Sequence, residues 1–310
     1  MKIAITGAAG LIGQNLIARL ARGGRHDIVA LDKHPANTTT LRRLHPEVQV
    51  IEADLAEPGP WGDALADVDA VVIGHAQIGG LDGEAFQRNN VTATARALDA
   101  LKRRRTPPQI VHISSSVVNS QAVDFYTETK KAQEALVLAA GLPTVVLRPT
   151  LMFGWFDRKH LGWLARFMKK APVFPIPGDG RYPRQPLYAG DFCEILIACL
   201  ERGIVGGTYN ISGQEKVDYI DLMRLVREAS GASAKIVRIP YRLFQAMLAT
   251  YALVDKNPPF TTRQLAALVI PETFEVIDWP SLFGVRATSL REAMAETFRD
   301  PRYADITLEF

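Results

Sequence analysis

The chain has 310 residues, 47% of them hydrophobic and 22% charged, which is the balance of a globular protein able to bury one large core or one and a half. A net charge of +3 leaves no electrostatic footprint for nucleic acid, and no apolar run approaches the ~20 residues that span a bilayer. Cys193 and Cys199 match neither a metal site nor a disulfide framework and read as buried, reduced thiols.

Residues 3–6 read as a first strand and 11–21 as a first helix. A strand followed at once by glycines is not a secretory leader, so the expected setting is cytoplasmic. Between the two elements, TGAAGLIG places Gly7, Gly10 and Gly13. Gly7 permits a tight turn, Gly10 lets a phosphate approach the backbone, and Gly13 lets helix and strand pack closely. A pyrophosphate would rest on the helix N-terminus, with Ala9, Leu11 and Ile12 completing the loop.

The second strand, DIVALD, ends at Asp32, where a carboxylate can accept the ribose hydroxyls of NAD and repel the extra phosphate of NADP. Lys33 and His34 follow and keep NADP open. VQVIEAD ends at Asp54 and Leu55; that carboxylate could accept the adenine amino group or cap a helix. AVVIG leads into GHAQIGG, whose small residues let the chain pass close to a cofactor at His75 and Ala76. A lone histidine is more often structural. A helical pattern over 84–104 contains Asn90 and ends in the basic run LKRRRT, whose cations complement a helix C-terminus.

The fifth strand, IVHISS, buries His112 and ends at Ser114, Ser115 and Ser116, where hydroxyls point into the crevice of a parallel sheet. Next comes a helical pattern over 126–140, with Tyr126 and Lys130 one turn apart on one face. TVVLRP follows, with Arg148 and Pro149 at its end. Beyond it, APVFPIPGDGRYPRQP is too rich in proline and glycine for regular helix, and helical patterns dominate at 191–201, 220–229, 242–253 and 289–298. Strand–helix alternation predicts an α/β fold, a Rossmann-type doubly wound parallel sheet over residues 1–150. Residues 189–212 are expected to pack back onto it, and 151–188 with 213–310 to form a smaller, mostly helical substrate region.

Taken in this order, the motifs resemble the extended short-chain dehydrogenase/reductase family, in its NAD-dependent epimerase/dehydratase branch. TGAAGLIG matches the family's TGxxGxxG, NNVTATARALDA resembles its NVxGTxNLLxAA helix, YTETKKAQE looks like YxxSKxxxE, and LRPTLMFG is similar to RPxxVYG. The resemblance implies that Tyr126 is the acid–base and that Lys130 contacts the nicotinamide ribose and lowers the tyrosine pKa. A serine would polarise the substrate oxygen: taking Val118 as the family's valine selects Ser115, while counting from the strand brings in Ser116. Asn90, Ser114, Arg148 and Pro149 would border the NAD, and Arg184, within GDGRYPRQPLYAGDF, would meet a substrate diphosphate. Family members also imply a homodimer through the 84–104 and 126–140 helices. Ser116 and Val117 stand where a dehydratase has its acidic pair, and no RRPGD-like segment follows. The leading expectation is an NAD-dependent epimerase of a nucleotide sugar. The alternatives are a dehydrogenase or reductase of a non-nucleotide alcohol or ketone, and a dinucleotide-binding sensor without turnover.

Overall fold

The computed structural model describes residues 1–103, 106–254 and 261–309. Arg104 and Arg105 of the basic run lie outside them. The chain opens with β1 (Lys2–Thr6), α1 (Leu11–Gly23), β2 (Asp27–Asp32), α2 (Pro35–Leu44), β3 (Gln49–Glu52), α3 (Trp61–Ala66) and β4 (Ala70–Ile73). Next come α4 (Gly83–Phe86), a π-type turn over Gln87–Thr92 and α5 (Ala93–Lys102), in place of the single uninterrupted helix expected over 84–104. β5 (Gln109–Ile113), a 3₁₀ turn at Ser116–Asn119, α6 (Phe125–Ala139) and β6 (Thr144–Pro149) complete the first part.

These strands, joined by a later one, form a seven-stranded sheet in the order β11-β6-β5-β4-β1-β2-β3, with β11 at Thr208–Ile211, and every pairing is parallel. The doubly wound α/β expectation is therefore met. Side chains alternate across the pleat. Ile3 and Ile5 face a core with Leu16, Ile17 and the apolar stripe of a helix at Ala189–Glu201, while Ala4 faces one with Leu65, Leu98 and Val137. Both faces are covered, which is why the strands are continuous Val/Ile runs. The order reverses between β1 and β4, so the crevice above their C-terminal ends is the ligand position of such a sheet.

After β6 come β7 (Met152–Phe153), α7 (Leu161–Lys170), β8 (Val173–Pro177), β9 (Pro183–Arg184), β10 (Leu187–Tyr188) and α8 (Ala189–Glu201). β11 is followed by β12 (Val217–Asp218), α9 (Tyr219–Ser230), β13 (Lys235–Ile239), α10 (Tyr241–Val254), α11 (Thr262–Leu268), α12 (Trp279–Phe283) and α13 (Leu290–Arg299). The Pro/Gly-rich stretch is non-helical, as its composition demands, and supplies β8, which pairs in parallel with β13. α7, α9 and α13 pack with this ribbon around a separate core containing Met168, Ile176, Met223 and Met294. Helices α2, α3 and α7 were not foreseen. α7 begins at Leu161–Gly162 behind an N-cap, His160, that makes no side-chain bond; the Gly162 N–H is taken by Asp157, which stands too far back to match the usual start signal. Cys193 and Cys199 are buried on α8 and unpaired, and burial pushes both thiols up to about 12.

Candidate active site

The turn after β1 is built by close backbone contacts. Gly7 takes φ 67°, and a Cβ there would lie 2.8 Å from the Gly74 carbonyl oxygen. A Cβ on Gly13 would come within 2.5 Å of the Ala8 backbone, so glycine alone lets α1 start against β1. α1 has no side-chain cap and no acid in its first turn, which keeps its N-terminal N–H groups and dipole for an anion. Gly7, Gly10, Leu11, Ile12 and Gly13 line a cleft of about 940 Å³ above the sheet. Ala9 lies behind the wall. Its N–H donates to Asp32 Oδ2 at 2.9 Å, while Asp32 Oδ1 accepts the His34 N–H at 3.0 Å. Asp32 is thus fixed at the end of β2 and faces the cleft with Lys33. A glycine cradle, an open helix N-terminus and a seated carboxylate together fit a dinucleotide. Gly7, Gly10 and Gly13 would hold its pyrophosphate and Asp32 its adenosine ribose.

Asp54 and Leu55 also line the cleft. The Asp54 carboxylate accepts Arg88 Nη1 at 2.6 Å and the Ala56 N–H at 2.9 Å, with Lys33 Nζ 3.6 Å away. His75 and Ala76 form the middle of the wall. His75 Nδ1 lies 2.8 Å from Thr6 Oγ1 and Nε2 lies 2.9 Å from Thr94 Oγ1. Burial, with Lys130 nearby, brings this imidazole down to about 3, so it stays neutral and ties β1 to α5. His112 is fully buried inside β5, as read from the sequence.

At the other end of the cleft stand Ser114, Ser115, Ser116, Tyr126, Lys130 and Pro149. The Tyr126 phenol stands beside Ser115, whose hydroxyl favours the phenolate and which also begins the 3₁₀ turn by accepting the Val117 N–H. Ser116 also lines the cleft but does not act on the phenol. Lys130 is 1% exposed, and its Nζ donates to the Ile113 carbonyl at 3.0 Å and to Gln133 Oε1 at 2.5 Å. Burial lowers its pKa to about 7, with Glu134 opposing. The expectation that Lys130 depresses the tyrosine needs correction here. Burial raises the Tyr126 pKa, the neighbouring Ser115 hydroxyl works downward, and Asp124 raises it further. A lysine turned into a carbonyl and an amide, and titrating near 7, exerts little pull on the phenol.

Two further expectations are corrected. Asn90 is fully buried and not on the cleft wall: its Oδ1 accepts the Gln77 N–H and its Nδ2 donates to Thr129 Oγ1, clipping the loop after β4 to α6. Its neighbour Asn89 faces the cleft instead. Arg148 likewise turns away to pair with Glu134 and with Asn119 Oδ1 at 3.2 Å, and Glu134 in turn accepts the Ser114 hydroxyl. Both residues hold the elements that carry the wall.

A second cavity of about 450 Å³ shares Leu151, Arg158, Lys159, His160, Glu272 and Phe274 with the main cleft. Arg184 lines it, but its guanidinium donates to the carbonyls of Pro183, Leu268 and Ile270 and so braces the 268–270 segment. Residues on the wall and behind it were missed from the sequence. Gln133, fully buried behind the wall and three residues after Lys130 on the same helix face, could have been found by spacing. Asn37, Leu308 and Glu309 carry no local signal. Both Asn37–Glu309 bonds are with the Glu309 backbone, at 2.9 and 3.0 Å, which brings residues 308–309 onto the Asp32 end of the cleft.

Residues 3–212 match the family described as NAD dependent epimerase/dehydratase. An uncharacterised UDP-glucose epimerase of Bacillus subtilis is 25% identical over 76% of this chain and 84% of its own length. A ceramide reductase of Caulobacter vibrioides is 25% identical over 82% of this chain and 77% of its own. Among solved structures, a UDP-glucuronic acid 4-epimerase from Bacillus cereus, in complex with UDP-glucuronic acid and NAD, superposes with a TM-score of 0.71. It covers 97% of this chain and 99% of its own at 24% identity, a likeness of fold.

Proposed function

The chain belongs to the NAD-dependent epimerase/dehydratase family, and on that premise we propose that it epimerises a sugar carried on a nucleoside diphosphate, by transient oxidation of a carbinol. The observation that carries this reading is the Ser115–Tyr126 pair, set in a cleft that continues into a cavity edged by Arg158, Lys159, His160 and Arg184. Four basic side chains against Glu272 suit a pyrophosphate, while the reacting sugar would lie back toward Tyr126.

In this reading Ser115 donates to the substrate oxygen and Tyr126, as the phenolate that a bound cationic nicotinamide would favour, takes the hydroxyl proton on Oη as the carbinol C–H bond breaks. NAD held by the glycine turn and Asp32 would supply the hydride acceptor and donor for that carbon. Tyr126 then gives its proton back to the re-formed alkoxide, so the cycle is neutral in protons and electrons. The buried Lys130 holds its ammonium beneath this site. Gln133 and the Ile113 carbonyl fix its position, and Glu134 favours its charged form. A homodimer belongs to the same proposal, supported by the exposed Phe125 and Leu138 on α6; a monomer in sedimentation would count against it.

A second reading, net oxidation or reduction of an apolar alcohol or ketone, is favoured by the engaged guanidinium of Arg184 and by Leu151, Trp163, Leu164, Leu222, Leu268 and Phe274 in the second cavity. One experiment separates the two. The purified protein is denatured to identify retained cofactor, then screened with UDP-, GDP- and dTDP-sugars. Retained NAD and interconversion of epimers without net NADH support the first reading. NADH formed in proportion to product, from a substrate without a nucleotide, overturns it.

A further inference from the structure

We propose that the face formed by α7, the β8–β13 ribbon and α10 docks on an anionic lipid bilayer. The charge distribution carries this inference. Residues 158–178 contain Arg158, Lys159, Arg166, Lys169 and Lys170 and no acid, and residues 229–254 contain Lys235, Arg238 and Arg242 and no acid. The whole chain is nearly balanced, with 36 Lys and Arg against 33 Asp and Glu, so this segregation is not a matter of overall composition. The pairing of Val173 with Lys235 and of Pro175 with Val237 brings the two acid-free segments side by side, with Val173, Lys235 and Val237 on one side of the ribbon. The flanking Asp157 is turned inward, accepting N–H groups of Lys159, His160 and Gly162.

Apolar side chains stand among these cations. α10 has a single charged residue, Arg242, and along it Leu243, Met247 and Tyr251 are 55%, 50% and 47% exposed at four-residue spacing. On α7, Trp163 and Phe167 stack with ring centroids 5.6 Å apart, and both are over a third exposed. Val173 and Val237 extend the patch across the ribbon. Exposed Trp, Tyr and aliphatic groups interleaved with Lys and Arg are the composition of a surface that lies in the headgroup region. Among the described residues no helix is long and apolar enough to cross a membrane, so the contact is one of lying on the bilayer. Trp163 also lines the second cavity, so docking would set the entrance of that cavity against the lipid.

The inference does not depend on the substrate, and its test uses binding alone. The full chain with NAD is floated with phosphatidylcholine vesicles with and without about 30% phosphatidylglycerol. The expected result is recovery with the anionic vesicles, at least about tenfold weaker on the neutral ones and weakened again by salt. Lys169→Glu/Lys170→Glu/Lys235→Glu should abolish flotation, and Leu243→Ser/Met247→Ser should reduce it. All five positions are exposed, and melting and NAD binding are measured alongside to show that the variants fold. Absence of the parent from anionic vesicles, or equal binding by folded charge-reversed protein, would overturn the proposal. So would a concentration-dependent dimer that the Leu243→Ser/Met247→Ser variant dissolves, because the face would then belong to a second copy.

Discussion

Replacing Lys130 with methionine should flatten the pH dependence of stability of the cofactor-free protein between pH 7 and 9. Burial holds the Lys130 ammonium at about 7 in the folded chain, against 10.5 for the unburied group. Below pH 7 both states carry the proton and the burial cost is felt in full. Between the two values the unfolded chain binds more protons than the folded one, so stability rises with pH. Integrated at about 1.4 kcal/mol per unit, the gain from pH 7 to 9 is about 2 kcal/mol. The comparison with the variant removes the contribution of the other shifted groups. His75 and His112 charge below 6.5 and Asp191 changes between 3.8 and about 6, while the two thiols, which begin to ionise in the unfolded chain below 9, act alike in parent and variant and cancel in their difference. The assay is urea unfolding of parent and Lys130→Met at pH 7, 8 and 9. The difference between them should move by about 2 kcal/mol in the parent's favour across the window. Parallel curves would mean that Lys130 is not a buried ammonium titrating near neutrality.

Asp32→Ala removes the carboxylate from the ribose end of the cleft together with its bonds to the Ala9 and His34 N–H groups. NAD affinity should fall by about ten- to a hundredfold and NADP affinity by less. Equal losses for the two cofactors in a titration would take Asp32 off the ribose. Asn37→Ala removes both bonds to the Glu309 backbone and frees the Leu308 wall. Release of NAD in a stopped-flow chase should speed up about tenfold, and an unchanged rate would place residues 308–309 outside the cofactor site.

The sheet was legible because its strands are covered on both faces and so had to be continuous apolar runs. The glycines were legible because each meets backbone, at Gly74 for Gly7 and at Ala8 for Gly13. Tyr126 and Lys130 share one face of α6 by helical spacing, and the cleft receives both. Residue roles within matching motifs were less legible. Asn90 and Arg148 sit next to wall residues, but a one-residue step turns a side chain away from the cleft, and both spend their polar atoms on support. Contacts that join distant segments left no local trace. The β8–β13 pairing and the seat of residues 308–309 on α2 depend on chain ends that sequence patterns do not bring together. The direction of the Tyr126 shift was unreadable for the same reason, since burial decides it and burial is a property of the assembled site.

Turnover by Tyr126→Phe, measured beside its NAD affinity, tests the acid–base assignment most directly. With the substrate that the cofactor screen identifies, the variant loses the Tyr126 Oη beside Ser115 while its ring still fills the same place. The expected result is a loss of about 10²- to 10⁴-fold in turnover with NAD bound as tightly as by the parent. Parental turnover by the folded variant would contradict the account.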